Sequence, residues 1–404
     1  MRRSRAIASC LAVRMTRRRL GHQQERKCTS RRTTFSTATT NGHKRRLESN
    51  DVVKLTQHSS SSAFSDNNNN TYNIHTNNHE SMELVDNLLL RTSEMMNPHA
   101  ANVVAYSGGV DSSLVAALVH RAFTDYDNTV CYSSDSNNNN NNIDKKRGSV
   151  RAVLGISHAV PKLQIETARK VADFIGIPLM EVSTLEGDDE AYIKNDGHAC
   201  FVCKTHLYST LNAVANAFIE QYSDNGDEQH QVILYNGTNA DDTQDPTRLG
   251  LQAASNFSVH SPLDQITKDQ VRQAAKYLGL SNWNAAASPC LRSRLAMGVM
   301  ATEEHLRAVE LAEAFVRNVL ELDETINTRV RMLSGGKAMV ELDNSIIQAQ
   351  RGERELAKIL NEHGFAEKCT SEWGFKKFGG VRGFKTGSVA AMPNVNVPLA
   401  TATL

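Results

Sequence analysis

Short apolar runs that alternate with helix-forming segments constrain this chain more than any other feature. Runs at 103–106, 150–156, 178–182 and 232–235 are separated by helical patterns at 112–123, 161–175 and 204–220. Strands buried on both faces read as continuous apolar stretches rather than as an alternation, and strands interleaved with helices form parallel sheets. The expected fold is therefore α/β, a Rossmann-like parallel sheet covered by helices. Gly176 is the expected left-handed C-cap of the 161–175 helix. Ser81 is expected to cap an earlier helix carrying Leu84, Leu88, Leu89 and Leu90 on one stripe. A second, smaller α/β unit follows. Thr302 starts a helix with Leu306, Val309, Val316 and Leu320 on one face, followed by strands at 328–333 and 338–342 and a helix at 351–363.

At 404 residues and 40% hydrophobic content the chain can bury more than one core. The expected division is 81–285 for the parallel-sheet domain, with an Asn-rich loop inserted near 124–149, and 286–391 for the smaller one. Residues 41–80 and 392–404 are polar or low in complexity and are expected to be disordered. Residues 1–40 hold Arg2, Arg3, Arg5, Arg14, Arg17, Arg18 and Arg19 before the first acid, Glu25, which is the pattern of an organelle transit segment. A mitochondrial or other organellar location is expected on that reading, and a cytoplasmic one otherwise. A formal net charge of +1 argues against bulk nucleic-acid binding. No run approaches the roughly 18 apolar residues that would span a bilayer.

Ligands of open parallel sheets sit beyond the carboxyl ends of the strands. Two candidate loops lie there. Ser107-Gly108-Gly109-Val110-Asp111-Ser112-Ser113 leaves the first strand and opens a helix, so its backbone N–H groups and the helix N-terminus suit phosphate oxygens. It lacks the Gly-Lys-Ser/Thr ending of a Walker A loop. Asn236-Gly237-Thr238-Asn239-Ala240-Asp241-Asp242 leaves the fourth strand and offers Asn239, Asp241 and Asp242 to a nucleotide or to Mg²⁺. A plain turn would share that composition.

Further along, Cys290 stands between Pro289 and the cations Arg292 and Arg294, which would favour a nucleophilic thiolate. Cys200 and Cys203 form a C-x-x-C pair, a spacing shared by redox, zinc and iron–sulfur sites, and His198 and His206 keep zinc open. Arg329 and Arg331 alternate on a strand and so share one side, a two-pronged anion site unless that face is simply solvated. Glu310 and Glu313 on the preceding helix are either metal ligands or surface charges.

The first loop resembles the SGGxDS pyrophosphate loop of the N-type ATP pyrophosphatases. Motif order narrows the resemblance. The loop is followed by Cys200-Phe201-Val202-Cys203-Lys204, Gly237 to Asp242, Arg248, Ser261-Pro262-Leu263, Ser288-Pro289-Cys290-Leu291-Arg292-Ser293-Arg294 and Arg329-Val330-Arg331. Together these resemble the ATP-dependent sacrificial sulfur transferases, the LarE family, from about residue 81 to 387.

That resemblance implies an enzyme that uses ATP and Mg²⁺ and splits ATP into AMP and pyrophosphate while adenylating the carboxylate of a small carboxylated nucleotide. Ser107, Gly108, Gly109, Asp111, Ser112 and Ser113 would hold pyrophosphate, with Asp111 also catalytic. Arg248, Arg292, Arg294, Arg329 and Arg331 would bind the substrate phosphate. Cys290 would attack the adenylate and surrender its sulfur. Members with three cysteines imply a [4Fe–4S] cluster on Cys200, Cys203 and Cys290. The competing expectation is an amide-forming ligase resembling NAD synthetase, or a tRNA-thiolating enzyme. A partner copy of the chain is left open.

Overall fold

The computed structural model describes residues 69–133, 148–222, 231–244 and 249–384, all within one compact unit, Asp66–Leu404. The expectations for the arginine-rich start, the Asn-rich run at 137–142, the tail and Arg248 fall outside the described residues.

Four parallel strands, β1 (Ala101–Tyr106), β2 (Ser149–Ile156), β3 (Leu179–Ser183) and β4 (Val232–Tyr235), form a sheet in the order β3-β2-β1-β4. The chain adds β2 and β3 on one side of β1, then crosses to place β4 on the other. The crevice between β1 and β4 is thus a topological switch point, where open α/β sheets take their ligands. Its helices are α1 (Asn69–Met95), α2 (Val110–Ser133), α3 (Lys162–Ile175), α4 (Glu190–Lys194), α5 (Ala199–Tyr222), α6 (Ala240–Thr243), α7 (Leu249–Ser255) and α8 (Lys268–Tyr277). Val104, Leu114, Leu118, Ala152, Leu154, Tyr235 and Leu263 are fully or almost fully buried in the core around this sheet.

The second sheet is smaller. β5 (Thr328–Leu333) runs antiparallel to β6 (Lys337–Leu342), and β6 runs parallel to β7 (Lys377–Gly383). α9 (Glu303–Val319), α10 (Asn344–Ala349), α11 (Glu353–Glu362) and α12 (Phe365–Ser371) accompany it. Its core holds Val309, Val316, Val330, Val340, Leu356 and Phe365, each completely buried.

Gly176 caps α3 in the left-handed region at φ 80°, and Thr302 caps α9 by accepting from the His305 N–H, both as expected. Ser81 is not an N-cap. α1 begins at Asn69, and the buried Ser81 hydroxyl accepts from Gln273 Nε2 on α8 at 3.0 Å. α5 starts at Ala199, earlier than the expected 204, so Cys200 and Cys203 lie on its first turn, a helical spacing that brings them to one face. β7 was not expected. Its sequence, KFGGVRG, lacks both an apolar run and a clean alternation. Among the described residues no helix is long and apolar enough to cross a membrane.

Candidate active site

The 107–113 loop and the start of α2 form the floor of the crevice. Gly108 adopts φ +75°, and a Cβ there would stand 2.5 Å from Ala168 Cβ on α3, so only glycine lets this turn pack so closely. Ser112 Oγ donates to the Gly109 carbonyl at 3.1 Å and accepts from the Ser107 N–H at 3.2 Å. Asn282 clamps the loop from beneath, its amide donating to the Gly108 carbonyl at 2.8 Å and to Ser113 Oγ at 3.0 Å. Ser107, Gly108, Gly109 and Asp111 line the cavity above, whereas the buried Ser112 and Ser113 hold the loop's shape.

The loop after β4 lies directly alongside. A Cβ on Gly237 would stand 2.7 Å from the Ser112 nitrogen, which is how closely the two backbones approach. Asn239 opens α6 with a capping box, its side chain accepting from the Asp242 N–H while Asp242 Oδ2 accepts from the Asn239 N–H. The same Asn239 donates Nδ2 to Asp111 Oδ1 at 2.9 Å. The ammonium of Lys268 pairs with Asp111 Oδ2, and the Lys268 N–H donates to Asp241 Oδ2 at 2.9 Å. Both carboxylate oxygens of Asp111 are therefore held. Carboxylates at a phosphate site suit a hard ion bound by one or two side chains plus phosphate oxygens, which is how Mg²⁺ is usually taken.

The cavity has a volume of about 1180 Å³ and continues from this floor to the second sheet. A single small-molecule site usually occupies roughly 300–1,000 Å³, so there is room for more than one substrate. Arg329 and Arg331 both line its far end, on the same side of β5 as the alternation predicts. Their surroundings differ. Arg331 donates to the buried Glu341 Oε2 at 2.6 Å and to the Ser293 carbonyl at 3.0 Å, and Arg382 shares Glu341 through Oε1. Arg329 instead stacks on Phe384, 4.3 Å from the ring centroid. Burial, then the neighbouring Arg294 and Arg331, bring its pKa down to about 10, the mark of a cation short of negative charge.

Two expected phosphate ligands are engaged elsewhere. Arg294 is 3% exposed and forms an ion pair with Glu313 at 2.8 Å, while its guanidinium also donates to the Pro289 and Cys290 carbonyls. It fixes the turn that carries Cys290 rather than offering a free fork to a phosphate. Arg292 donates to Asn195 Oδ1 at 2.8 Å and to Cys200 Sγ at 2.8 Å. Glu313 is not a surface charge, its side chain being 12% exposed. Besides pairing with Arg294, it accepts from the Val330 N–H at 3.0 Å. Glu310 accepts from the Lys162 N–H at 2.6 Å and so caps α3 from the other sheet's helix.

Of the three cysteines, Cys200 accepts from Arg292 at 2.8 Å, while Cys203 and Cys290 are both partly buried. Cys203 and Cys290 pack against the second core, beside Tyr192, Ala199 and Leu291. The three thiols are not equivalent. Burial, then the proximity of Cys290 and Glu186, push the Cys203 pKa up to about 12. At pH 8, iodoacetamide should alkylate Cys203 roughly a thousandfold more slowly than an ordinary thiol, with the rate climbing as pH rises toward 12. Peptide mass spectrometry at stepped pH checks this, and alkylation of Cys203 at an ordinary rate below pH 9 would refute it. Among the described residues no three Cys, His, Asp or Glu side chains form a group that would hold a metal ion. The geometry therefore lends the [4Fe–4S] expectation no support, and a guanidinium engages the Cys200 sulfur. Zinc through His198 or His206 fares no better: these bond Asp196 and Asp189.

No protein-family profile matches the chain. An uncharacterized protein of Synechocystis sp., slr1717, is 33% identical over 219 residues, 54% of this chain and 69% of that protein. The pyridinium-3,5-bisthiocarboxylic acid mononucleotide synthase of Lactiplantibacillus plantarum is 27% identical over 219 residues, 54% of this chain and 67% of its own. One component of the glutamine-hydrolyzing GMP synthase of Methanopyrus kandleri is 24% identical over 229 residues, 54% and 63% of the two chains. The chain belongs to the PP-loop ATP pyrophosphatases.

Three site residues of this PP-loop ATP pyrophosphatase escape a reading of local motifs. Lys268, Asn282 and Asn195 reach Asp111, Gly108 and Arg292 across 157, 174 and 97 residues respectively. Asn195 alone carries a local sign. It is the left-handed C-cap of α4 at φ 51°, a role asparagine fills more readily than other side chains. From there its amide donates to the Ala296 and Val299 carbonyls and its oxygen aligns Arg292.

Proposed function

We propose that this PP-loop ATP pyrophosphatase adenylates the carboxylate of a phosphorylated small-molecule acceptor, of the carboxylated pyridinium mononucleotide class, and converts it to a thiocarboxylate with sulfur passed through Cys290. One observation carries the reading. A single cavity joins the 107–111 loop at one end to Arg329 and Arg331 at the other, and the Pro289–Leu291 turn bearing Cys290 stands in the wall between them.

On this reading the β- and γ-phosphates of ATP lie on the loop N–H groups and the α2 N-terminus. The acceptor carboxylate attacks the α-phosphorus, the bond to the bridging oxygen breaks, and pyrophosphate leaves. Mg²⁺, when bound near Asp111 and Asp241, would neutralise charge on the departing pyrophosphate. Arg329 holds the acceptor's phosphate, and its unmatched positive charge is what a dianion would relieve. The Cys290 sulfur then attacks the acyl carbon, expelling AMP and forming a thioester. A base then removes the Cys290 α-proton, the Cβ–S bond breaks with its electron pair leaving on the thiocarboxylate, and dehydroalanine remains at position 290.

The similarity to a GMP synthase component favours one competing reading, an amide-forming ligase in which ammonia attacks the adenylate. Cys290→Ala separates the two, because it stops thiocarboxylate formation and leaves amide formation untouched.

Chromatography of the nucleotide products tests the shared step. AMP and pyrophosphate are expected in equal amounts with a carboxylated mononucleotide present, and ADP with phosphate would refute the assignment. Arg329→Ala should raise the acceptor KM by about tenfold to a hundredfold, the usual cost of about 1.5–3 kcal/mol for one charged hydrogen-bonding partner. ATP affinity should stay within about twofold. An equal loss of ATP affinity would move Arg329 to the nucleotide's own site.

A further inference from the structure

Two cations stand on one face of α8, and only one of them has its charge matched. Lys268 and Arg272 are four residues apart, a spacing that puts them on the same side of the helix, and both line the cavity with Ser107, Gly109 and Asp111. The Lys268 ammonium pairs with Asp111. Among the described residues the Arg272 guanidinium makes one hydrogen bond, from Nη2 to the Ala285 carbonyl at 3.5 Å, while its Nε is buried without a partner. A contact of that length lies beyond the roughly 2.7–3.2 Å of an ordinary N–H···O bond. The positive charge of Arg272 therefore faces the cavity with no anion against it.

Its surroundings fix where that charge stands. Side chains on a helix lean toward the N-terminus, so Arg272 runs back toward the Lys268 end of α8, which already touches the loop through Asp111. On its other side the chain returns to the same loop. The Ala285 N–H donates to the Asn282 carbonyl at 3.1 Å, and the Asn282 amide donates to the Gly108 carbonyl and to Ser113 Oγ. Arg272 is thus bracketed by two segments that each grip the 107–113 loop, in the wall of the cavity that this loop floors. A plain brace for the 282–285 segment would explain the Ala285 contact. It would not call for a guanidinium, because one long bond to a neutral carbonyl uses little of a group with five donors and a permanent charge.

The reaction supplies the missing anion. When the bond between the α-phosphorus and the bridging oxygen breaks, its electron pair stays on that oxygen, and pyrophosphate leaves with one more negative charge there than it carried within ATP. The loop N–H groups offer dipoles without net charge, and Lys268 is already matched.

We propose that Arg272 is a further catalytic residue of this site, a guanidinium clamp on the departing pyrophosphate. The proposal rests on the adenylation reading and deepens it, independently of how sulfur is delivered. The planar fork suits two phosphate oxygens at once. Because the charge it answers grows as the bond breaks, Arg272 holds pyrophosphate more strongly than the same phosphates within ATP, which is the condition for lowering the barrier.

The test titrates the full chain by calorimetry with magnesium pyrophosphate and, separately, with AMP, and it measures initial rates of AMP release at saturating ATP with a carboxylated mononucleotide. Arg272→Gln removes the charge and keeps a donor. It should weaken pyrophosphate binding by roughly tenfold to a hundredfold and slow AMP release by a similar factor, with AMP affinity within about twofold of the wild type. Thermal melts verify that it folds. Arg272→Lys keeps the charge without the fork and should bind pyrophosphate about tenfold more weakly than the wild type. If the Gln variant fails to fold, the Lys variant carries the test.

Unchanged pyrophosphate affinity in a folded variant would overturn the clamp. Equal losses of AMP and pyrophosphate affinity would make Arg272 a support for the shape of the site, and would overturn it too. A wild-type protein that binds no magnesium pyrophosphate would sink the adenylation reading and the clamp together. Selective loss of pyrophosphate binding in Arg272→Gln, with product formed at the wild-type rate by Cys290→Ala, would uphold the clamp and sink the sulfur-transfer reading, so the failures are distinguishable.

Discussion

Asp111→Ala is expected to reduce release of AMP and pyrophosphate by about a hundredfold to a thousandfold, the range seen when one preorganised electrostatic group is removed from a reaction centre. The carboxylate is central because three elements meet at it: α2 carries it, Asn239 at the head of α6 donates to one oxygen, and Lys268 at the head of α8 pairs with the other. Its loss removes the negative charge that keeps Lys268 in register and a carboxylate suited to Mg²⁺. Asp111→Asn keeps the shape and the Asn239 contact side but not the charge, and it should be nearly as impaired. The measurement is initial-rate pyrophosphate release with saturating ATP. A variant within about threefold of the wild-type rate would show that Asp111 serves the fold and not the reaction.

Glu313→Ala should lower the free energy of unfolding by about 3–5 kcal/mol, the usual result of leaving a buried charge without its partner. The Arg294 side chain is 3% exposed and the Glu313 side chain 12%, so solvent screens little of their interaction. The same substitution strips the Val330 N–H of its acceptor. Equilibrium unfolding in urea measures the change. Glu362→Ala provides the contrast, since its pairing with Lys358 is about 60% exposed on both sides and should matter by less than about 1 kcal/mol. If both variants lost the same amount, the buried pair would have no special role.

Much of this architecture can be read along the chain because it is local. The strands β1, β2 and β4 are short apolar runs, the Gly108 turn must be glycine, and the caps at Gly176 and Thr302 follow from backbone rules that act over a few residues. The common side of Arg329 and Arg331 follows from the two-residue period of a strand. What cannot be read this way is the pairing of charges across distance. Arg292 and Arg294 stand two positions apart in one basic segment, yet one turns to Cys200 and Asn195 and the other to Glu313. Glu310 and Glu313 look alike on α9 and do unrelated things, because which helix face meets which neighbour is a property of the packed molecule. β7 is obscured for another reason: its glycines remove the side-chain pattern, and its pairing with β6 defines it instead.

Pro289 and Leu291 belong to the cavity wall, whereas Cys290 between them does not line it and packs instead toward the second core. One residue's worth of backbone therefore stands between the cavity and the thiol. On the sulfur-transfer reading, an acyl-adenylate can form in the cavity while the Cys290 thiol is packed behind its wall, so the thiol has to turn toward the cavity to meet it. Timing then belongs to the peptide rather than to the thiol's reactivity. Arg294, which grips the carbonyls of Pro289 and Cys290, is the latch that such a rotation has to release.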